Sequence, residues 1–290
     1  MAESDILRRL RSLPLHPGAL GLADDAARLD SFVLTTDLLV EGVHFLPDDP
    51  PGDVAWKLLA TNLSDLAAKG ATPEGVLLGM PLHSRDWDAA FIDGLDTALR
   101  HFGCALLGGD TVSGGRTYAL TAIGRAAIAP MRSGARPGDI AWVTGTIGDA
   151  GAGLAIARGA AGPERLRDRY RRPTPRLVEG LALAPLVTAM MDVSDGLLID
   201  AGRMASASGC AVAIDLTRIP LSDAYAVWSG DRIAAATAGD DYELLFALPP
   251  GVTPPVAATA VGRFAVGHGL TLTDDGVPVP LPDRLGWLHD

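Results

Sequence analysis

Residues 129–139 read Ala129-Pro130-Met131-Arg132-Ser133-Gly134-Ala135-Arg136-Pro137-Gly138-Asp139, and this stretch divides the chain. Proline removes a backbone donor and fixes φ, and glycine weakens any regular element, so neither a helix nor an internal strand continues through it. Regular structure is therefore expected to end before this segment and to start again after it. The reading gives one unit over residues 1–130 and a second over 131–290.

Working back from the crossing, residues 118–128 form an apolar strand, and 105–107 form a short buried strand that runs into Gly108-Gly109-Asp110. Residues 87–103 read as a helix and 75–81 as a core strand. Over 53–69 the apolar residues Trp56, Leu59, Ala60, Leu63 and Leu66 recur at helical spacing, and Gly70 stands where a helix C-terminus wants it. Residues 32–36 are a strand expected to end at Asp37. Residues 38–45 then return as extended chain with a turn at Glu41-Gly42, and 4–13 form an amphipathic helix.

Forward from the crossing come a strand at 140–144, a turn rich in glycine (Gly145, Gly148, Gly151, Gly153) and a helix at about 152–158. A helix reaching Ala184, a strand at 189–193, a helix at 194–208 and strands at 211–216, 244–248, 258–262 and 270–272 complete the chain. Mixed strands and helices throughout imply α+β or α/β layers.

With 290 residues, 48% of them apolar, the chain can bury a proper core. Its net charge of -11 excludes a nucleic-acid backbone as partner, because phosphate chains need a basic footprint. Cys104 and Cys210 are too few for a disulfide framework and read as buried small hydrophobes. No apolar run is long enough to span a bilayer, and residues 1–10 lack the apolar core of a secretory signal, so a cytoplasmic protein is expected.

The acids are 29 Asp against 6 Glu, and the bases are 22 Arg against only Lys57 and Lys69. Six segments deliver one or two aspartates beside small residues: Asp24-Asp25, Thr35-Thr36-Asp37, Asn62-Leu63-Ser64-Asp65, Gly108-Gly109-Asp110, Asp192-Val193-Ser194-Asp195 and Gly239-Asp240-Asp241. Any one of them could be a cap or a turn, and Asp195 before Gly196 fits a helix N-cap. Six together at the ends of apolar segments need cations, since uncompensated buried carboxylates cost several kcal/mol each. Magnesium, bound through carboxylates and substrate phosphates, is the economical partner. Neither a phosphate loop ending in Gly-Lys-Ser/Thr nor a clean dinucleotide fingerprint is present. The turn at 145–153 either approaches a phosphate through its amides or is simply a tight turn.

Taken in order, TTDLLVEGVHF (35–45), NLSDLAAKGATP (62–73), LLGGDT (106–111), RSGARPGD (132–139), VTGTIGD (143–149), DVSDGL (192–197) and GDDYELLF (239–246) resemble the thiamine-monophosphate kinases. These lie within a superfamily shared with aminoimidazole-ribonucleotide synthetase, selenophosphate synthetase and a hydrogenase-maturation protein. The resemblance implies an α+β, two-domain fold of mixed sheets flanked by helices, in which the first domain binds metal and nucleotide and dimerises and the second completes the phosphate and substrate site. It implies transfer of the γ-phosphoryl group of ATP to thiamine monophosphate. By motif, Asp25, Thr35, Thr36, Asp37, Asp65, Asp110, Asp192 and Asp195 would hold several magnesium ions, the threonines through hydroxyl or backbone oxygen. Gly109, Asp110, Arg132 and Ser194 would touch ATP, and His44, Asp240 and Trp287 would face the thiamine moiety. The family usually carries Glu where this chain has Asp240, and its Gly-Asp-Asp is Ala23-Asp24-Asp25 here.

A homodimer joining first-domain strands of two subunits is also implied. The competing readings are a synthetase of the aminoimidazole-ribonucleotide type and a non-catalytic regulator that binds thiamine phosphate or nucleotide. A phosphate monoester is mostly dianionic at neutral pH, its second pKa being about 6, so the acceptor needs no base and direct in-line transfer without a phosphoenzyme is expected.

Overall fold

The structure is a computed structural model, and it describes residues 3–288. Two sheets, one on either side of the 129–139 crossing, organise the chain. The first half begins with α1 (Glu3–Leu10) and a 3-10 turn (Pro17–Leu22), followed by β1 (Ala27–Leu29), β2 (Phe32–Val40), α2 (Pro51–Ala68), β3 (Thr72–Leu82), α3 (Arg85–Phe102), β4 (Leu106–Ser113) and β5 (Thr117–Arg125). Its five-stranded sheet has the order β1-β2-β5-β3-β4, and only β3 and β4 run parallel. Helix α3 shows the local logic: the Ser84 hydroxyl accepts the Trp87 N–H, Asp86 and Asp88 occupy the first turn, and Gly103 at φ +64° closes the end.

The second half contributes β6 (Ile140–Thr144), α4 (Asp149–Ala157), α5 (Glu164–Arg171), α6 (Leu177–Leu183), β7 (Ala189–Val193), α7 (Leu197–Ala207), β8 (Ala211–Asp215), α8 (Asp223–Trp228), α9 (Arg232–Thr237), β9 (Glu243–Leu248), β10 (Ala258–Ala265), β11 (Gly269–Asp274) and β12 (Val277–Val279). Its seven strands follow the order β12-β11-β8-β10-β6-β9-β7, with only β8 and β11 parallel. Both sheets are mixed and flanked by helices, as an α+β fold requires. Among the described residues no helix is long and apolar enough to cross a membrane, and Cys104 and Cys210 are free and buried.

Each half has its own apolar cluster, and α2 belongs to more than one. Leu58, Leu59, Leu63 and Leu66 are fully enclosed in the first core, each worth about 1.5–3 kcal/mol of burial. Ala67 and Ala68 at its C-terminal end pack with Leu183, Met190, Leu244, Phe246 and Leu248 of the second half. The α2–α6 crossing is so close that a Cβ on Gly180 would lie 2.0 Å from the Ala67 carbonyl oxygen. α2 is thus buried from both sides, and its polar residues must find partners inside the protein.

Several elements differ from the sequence reading. β2 does not stop at Asp37: it pairs with β5 residue by residue from Phe32↔Arg125 to Val40↔Thr117, which puts Asp37 inside a strand. The strand expected to be buried at 105–107 is β4, a sheet edge exposed along all eight residues. α7 begins at Leu197 with Gly196 at its N-cap, so Asp195 is not the cap; the Asp200 carboxylate instead accepts the N–H groups of Ser194 and Asp195. The first helix ends at Leu10 rather than 13, and α5, α8, α9 and β12 had no counterpart in the pattern.

Candidate active site

α2 assembles the site through three residues of the stretch 62–65. The Asn62 side-chain oxygen accepts the Asp37 N–H at 3.0 Å, fixing β2 against the helix. The Ser64 hydroxyl donates to Asp192 Oδ2 at 2.6 Å, reaching across to the end of β7 in the second half. Asp65 receives the hydroxyl of Thr35. Asp37 and Thr35 share a face of β2 because side chains alternate along a strand, and the two halves thereby bring Asp37, Asp65 and Asp192 into one neighbourhood.

These carboxylates strain against one another. Burial, reinforced by the charges of Asp25 and Asp195, raises the Asp37 pKa to about 6. Burial and then Asp25 raise Asp192 to about 8 against the opposing Ser64 bond. Asp65 is driven well above the ordinary range by burial and by Asp37, Asp192 and Asp25. A group of oxygen-only donors that disfavour their own charge fits a hard divalent cation. Among the described residues no three acidic, His or Cys side chains enclose an ion by themselves.

Asp25 is different. Lys69 Nζ lies 2.7 Å from Asp25 Oδ2 and 2.5 Å from Asp24 Oδ1, and Arg132 pairs with the other Asp25 oxygen. Burial works against the Asp25 charge, but Lys69 and Arg132 override it and hold the carboxyl below its usual range. The chain's own cations therefore compensate Asp25, and Arg132, expected at the nucleotide, points to this carboxylate. Asp195 is likewise paired, 2.5 Å from Arg203, which also reaches Asp200 at 2.8 Å.

A cleft of about 510 Å³ opens on this cluster. Asp37, Asp65, Asp192, Ser194 and Asp195 line it, and so do His44, Asp240 and Trp287. The C-terminal segment reaches the cleft because the Trp287 N–H donates to the Asp195 carbonyl at 2.9 Å. Asp240 and Tyr242 both adopt left-handed backbone, with φ of +72° and +51°, a strain of about 1–3 kcal/mol per residue that concentrates at functional sites.

Three expected residues are not brought in. Thr36 faces the other side of β2, where its hydroxyl bonds Thr121 at 2.7 Å. Gly109 and Asp110 lie on the exposed edge strand β4, three strand positions from β2, about 14 Å at the usual strand spacing. The glycine turn at 145–153 is also accounted for: the Asp241 carboxylate accepts Gly148 N–H at 2.7 Å and Ala150 N–H at 3.2 Å, so an internal acid occupies the start of α4.

Sequence reasoning passed over both lysines. Lys57 and Lys69 are 2% and 3% exposed, so each is a buried cation, the first inside α2 and the second at its C-cap. The available signal was a lysine inside an apolar helical pattern, where an ammonium needs carboxylates brought by other segments.

Comparison with known proteins agrees with this layout. Residues 23–126 match the family described as AIR synthase related protein, N-terminal domain, and residues 136–270 match AIR synthase related protein, C-terminal domain. The fold is that of a two-domain AIR synthase related protein. The thiamine-monophosphate kinase of Salmonella typhimurium is 39% identical over 298 residues, covering 93% of this chain and 91% of that one. The thiamine-monophosphate kinase of Caulobacter vibrioides is 41% identical over 319 residues, covering 98% and 89%. A solved structure, AaThiL complexed with AMPPCP and TMP, superposes with a TM-score of 0.88 at 30% identity, covering 100% of this chain and 97% of that one. This chain belongs to the thiamine-monophosphate kinase family.

Proposed function

We infer that the chain transfers the γ-phosphoryl group of ATP to the phosphate of thiamine monophosphate, giving thiamine diphosphate and ADP. The observation that carries the reading is the meeting of Asp37, Asp65 and Asp192 from both halves at one cleft, in a chain about 40% identical to curated thiamine-monophosphate kinases over nearly its whole length. The acceptor is already mostly dianionic at neutral pH, its second pKa being about 6, so no protein base is needed. What remains is to hold two anions in line and to neutralise the charge between them.

Asp37, Asp65, Asp192 and Asp195 would hold magnesium ions, with Asp25 and Thr35 behind them. Bound there, magnesium supplies positive charge to the transferring phosphoryl group and orients the nucleotide phosphates. Thr35 and Ser64 keep Asp65 and Asp192 turned toward the cleft. Arg132, whose planar fork suits phosphate, would exchange Asp25 for nucleotide as ATP enters, and Ser194 lines the same wall. His44, Asp240 and Trp287 would receive the thiamine moiety.

Gly109 and Asp110 enter this scheme only if β4 of a second copy completes the site. The exposed Leu106, Leu107 and Val112 along that edge support a homodimer. The division into units 1–130 and 131–290 and a cytoplasmic location belong to the same proposal; two free cysteines suit a reducing compartment.

The test offers thiamine monophosphate, thiamine and aminoimidazole precursors separately in an ADP-release assay. ADP release is expected only with thiamine monophosphate, with inversion at a chiral γ-phosphorus. ADP release that is independent of thiamine monophosphate, or trapping of a phosphoprotein, would refute the scheme.

A further inference from the structure

Lys57 is a buried lysine in α2 whose side chain is 3% exposed. Its ammonium donates to Asp240 Oδ2 at 2.7 Å and to the His44 carbonyl at 2.9 Å. It also sits 4.0 Å above the centre of the Tyr170 ring. An ammonium has three hydrogens, and these three partners account for them. Lys57 is therefore not arranged to grip a phosphate itself. Its partners include two residues that line the cleft, His44 from the first half and Asp240 from the second.

Asp240 depends on this contact. It is a non-glycine residue at φ +72°, a conformation that persists only where neighbours impose it. Its N–H donates to the Ser194 carbonyl at 2.8 Å, the Tyr242 hydroxyl donates to Oδ1 at 3.1 Å, and Lys57 takes Oδ2. Lys57 is itself fixed from behind, because the Tyr170 hydroxyl is anchored on Asp49 at 3.0 Å. A chain of contacts thus runs from α5 through Tyr170 and Lys57 to the carboxylate at the cleft wall. The short Asp240 side chain keeps its carboxylate close to the backbone, where Lys57 reaches it.

We propose that Lys57 is the positioning residue for acceptor recognition: it holds the Asp240 carboxylate in a fixed orientation at the cleft wall, so that this wall presents one geometry to the non-phosphate part of the acceptor. The proposal rests on the reading of Asp240 and His44 as the acceptor wall. Lys57→Met keeps an unbranched side chain and removes the charge. A charge-assisted hydrogen bond lost at second hand should raise KM for thiamine monophosphate about tenfold to a hundredfold, with kcat and KM for ATP within about threefold. Asp240→Asn should raise the same KM by a similar factor, and the double variant Lys57→Met/Asp240→Asn should be no worse than Asp240→Asn alone.

An unchanged KM for thiamine monophosphate in Lys57→Met, or equal losses toward both substrates, overturns the inference. If Lys57→Met does not fold, the double variant, which leaves no unpaired buried charge, decides: a KM equal to that of Asp240→Asn supports the proposal, and a further large rise refutes it. Failure of the functional reading looks different, since the unmodified chain would then show no turnover with thiamine monophosphate at all.

Discussion

Asp65 stands on a helix packed from both sides and lines the cleft, and burial together with Asp37, Asp192 and Asp25 pushes its carboxyl well above the usual range. Folding gains nothing from such a group, so its presence is explained by what it binds. Asp65→Asn should stabilise the ligand-free chain by about 1–2 kcal/mol in thermal unfolding while lowering turnover at least about a hundredfold. Loss of stability together with full turnover would show that the group is structural. Asp241 gives a pH test away from the cluster. Burial raises its pKa well above normal despite the two backbone N–H groups it accepts. Above the ordinary carboxylate range near pH 4, the folded chain then retains a proton that the unfolded chain releases, so this group costs stability progressively as pH rises toward its folded pKa. Asp241→Asn should therefore gain on the unmodified chain as pH rises above the ordinary carboxylate range, measured as a difference in thermal midpoint at successive pH values. A difference that is flat, or that shrinks with rising pH, contradicts the assignment.

At the scale of elements, α2 and β4 are the two that do more than pack. α2 carries Lys57, Asn62, Ser64 and Asp65 in a largely apolar helix and ends at the C-cap Lys69, and each of these five finds a partner on another segment. β4 presents apolar side chains and an unpaired edge, which isolated proteins usually cover or blunt. Leu106 is 52% exposed at the start of that strand, so a lysine there costs little in the single chain. On the proposed homodimer, Leu106→Lys should leave the fold intact, give a monomer in sedimentation, and reduce turnover at least about tenfold as Asp110 loses the place proposed for it. A fully active monomer would remove both the dimer and the role of Asp110.

Across the whole molecule, the two halves are joined by buried polar contacts as well as by the apolar seam around Ala67 and Phe246. Asp49, 3% exposed, accepts Tyr170 Oη at 3.0 Å, Arg171 Nε at 2.9 Å and the Leu46 N–H at 2.8 Å. Asp49→Ala strands these donors and should cost about 3–5 kcal/mol, read by denaturant unfolding; a loss below about 1 kcal/mol would mean the contact is not maintained in solution. Most elements and the aspartate motifs were legible in the sequence, because prolines, glycines and hydrophobic periods act locally. β4 was misread because Ala105, Leu106 and Leu107 look the same whether a strand is central or at an edge; only the sheet order distinguishes them. The same limit hid Lys57 and Lys69, whose charges make sense only beside Asp240, Asp24 and Asp25, residues that are distant in the chain. The sequence by itself determined which residue types are present and roughly where most regular elements lie, because propensity and period act locally. Tertiary structure alone decided which acids are compensated by internal cations and which face the cleft, because burial and charge pairing depend on distance in space and not on order along the chain.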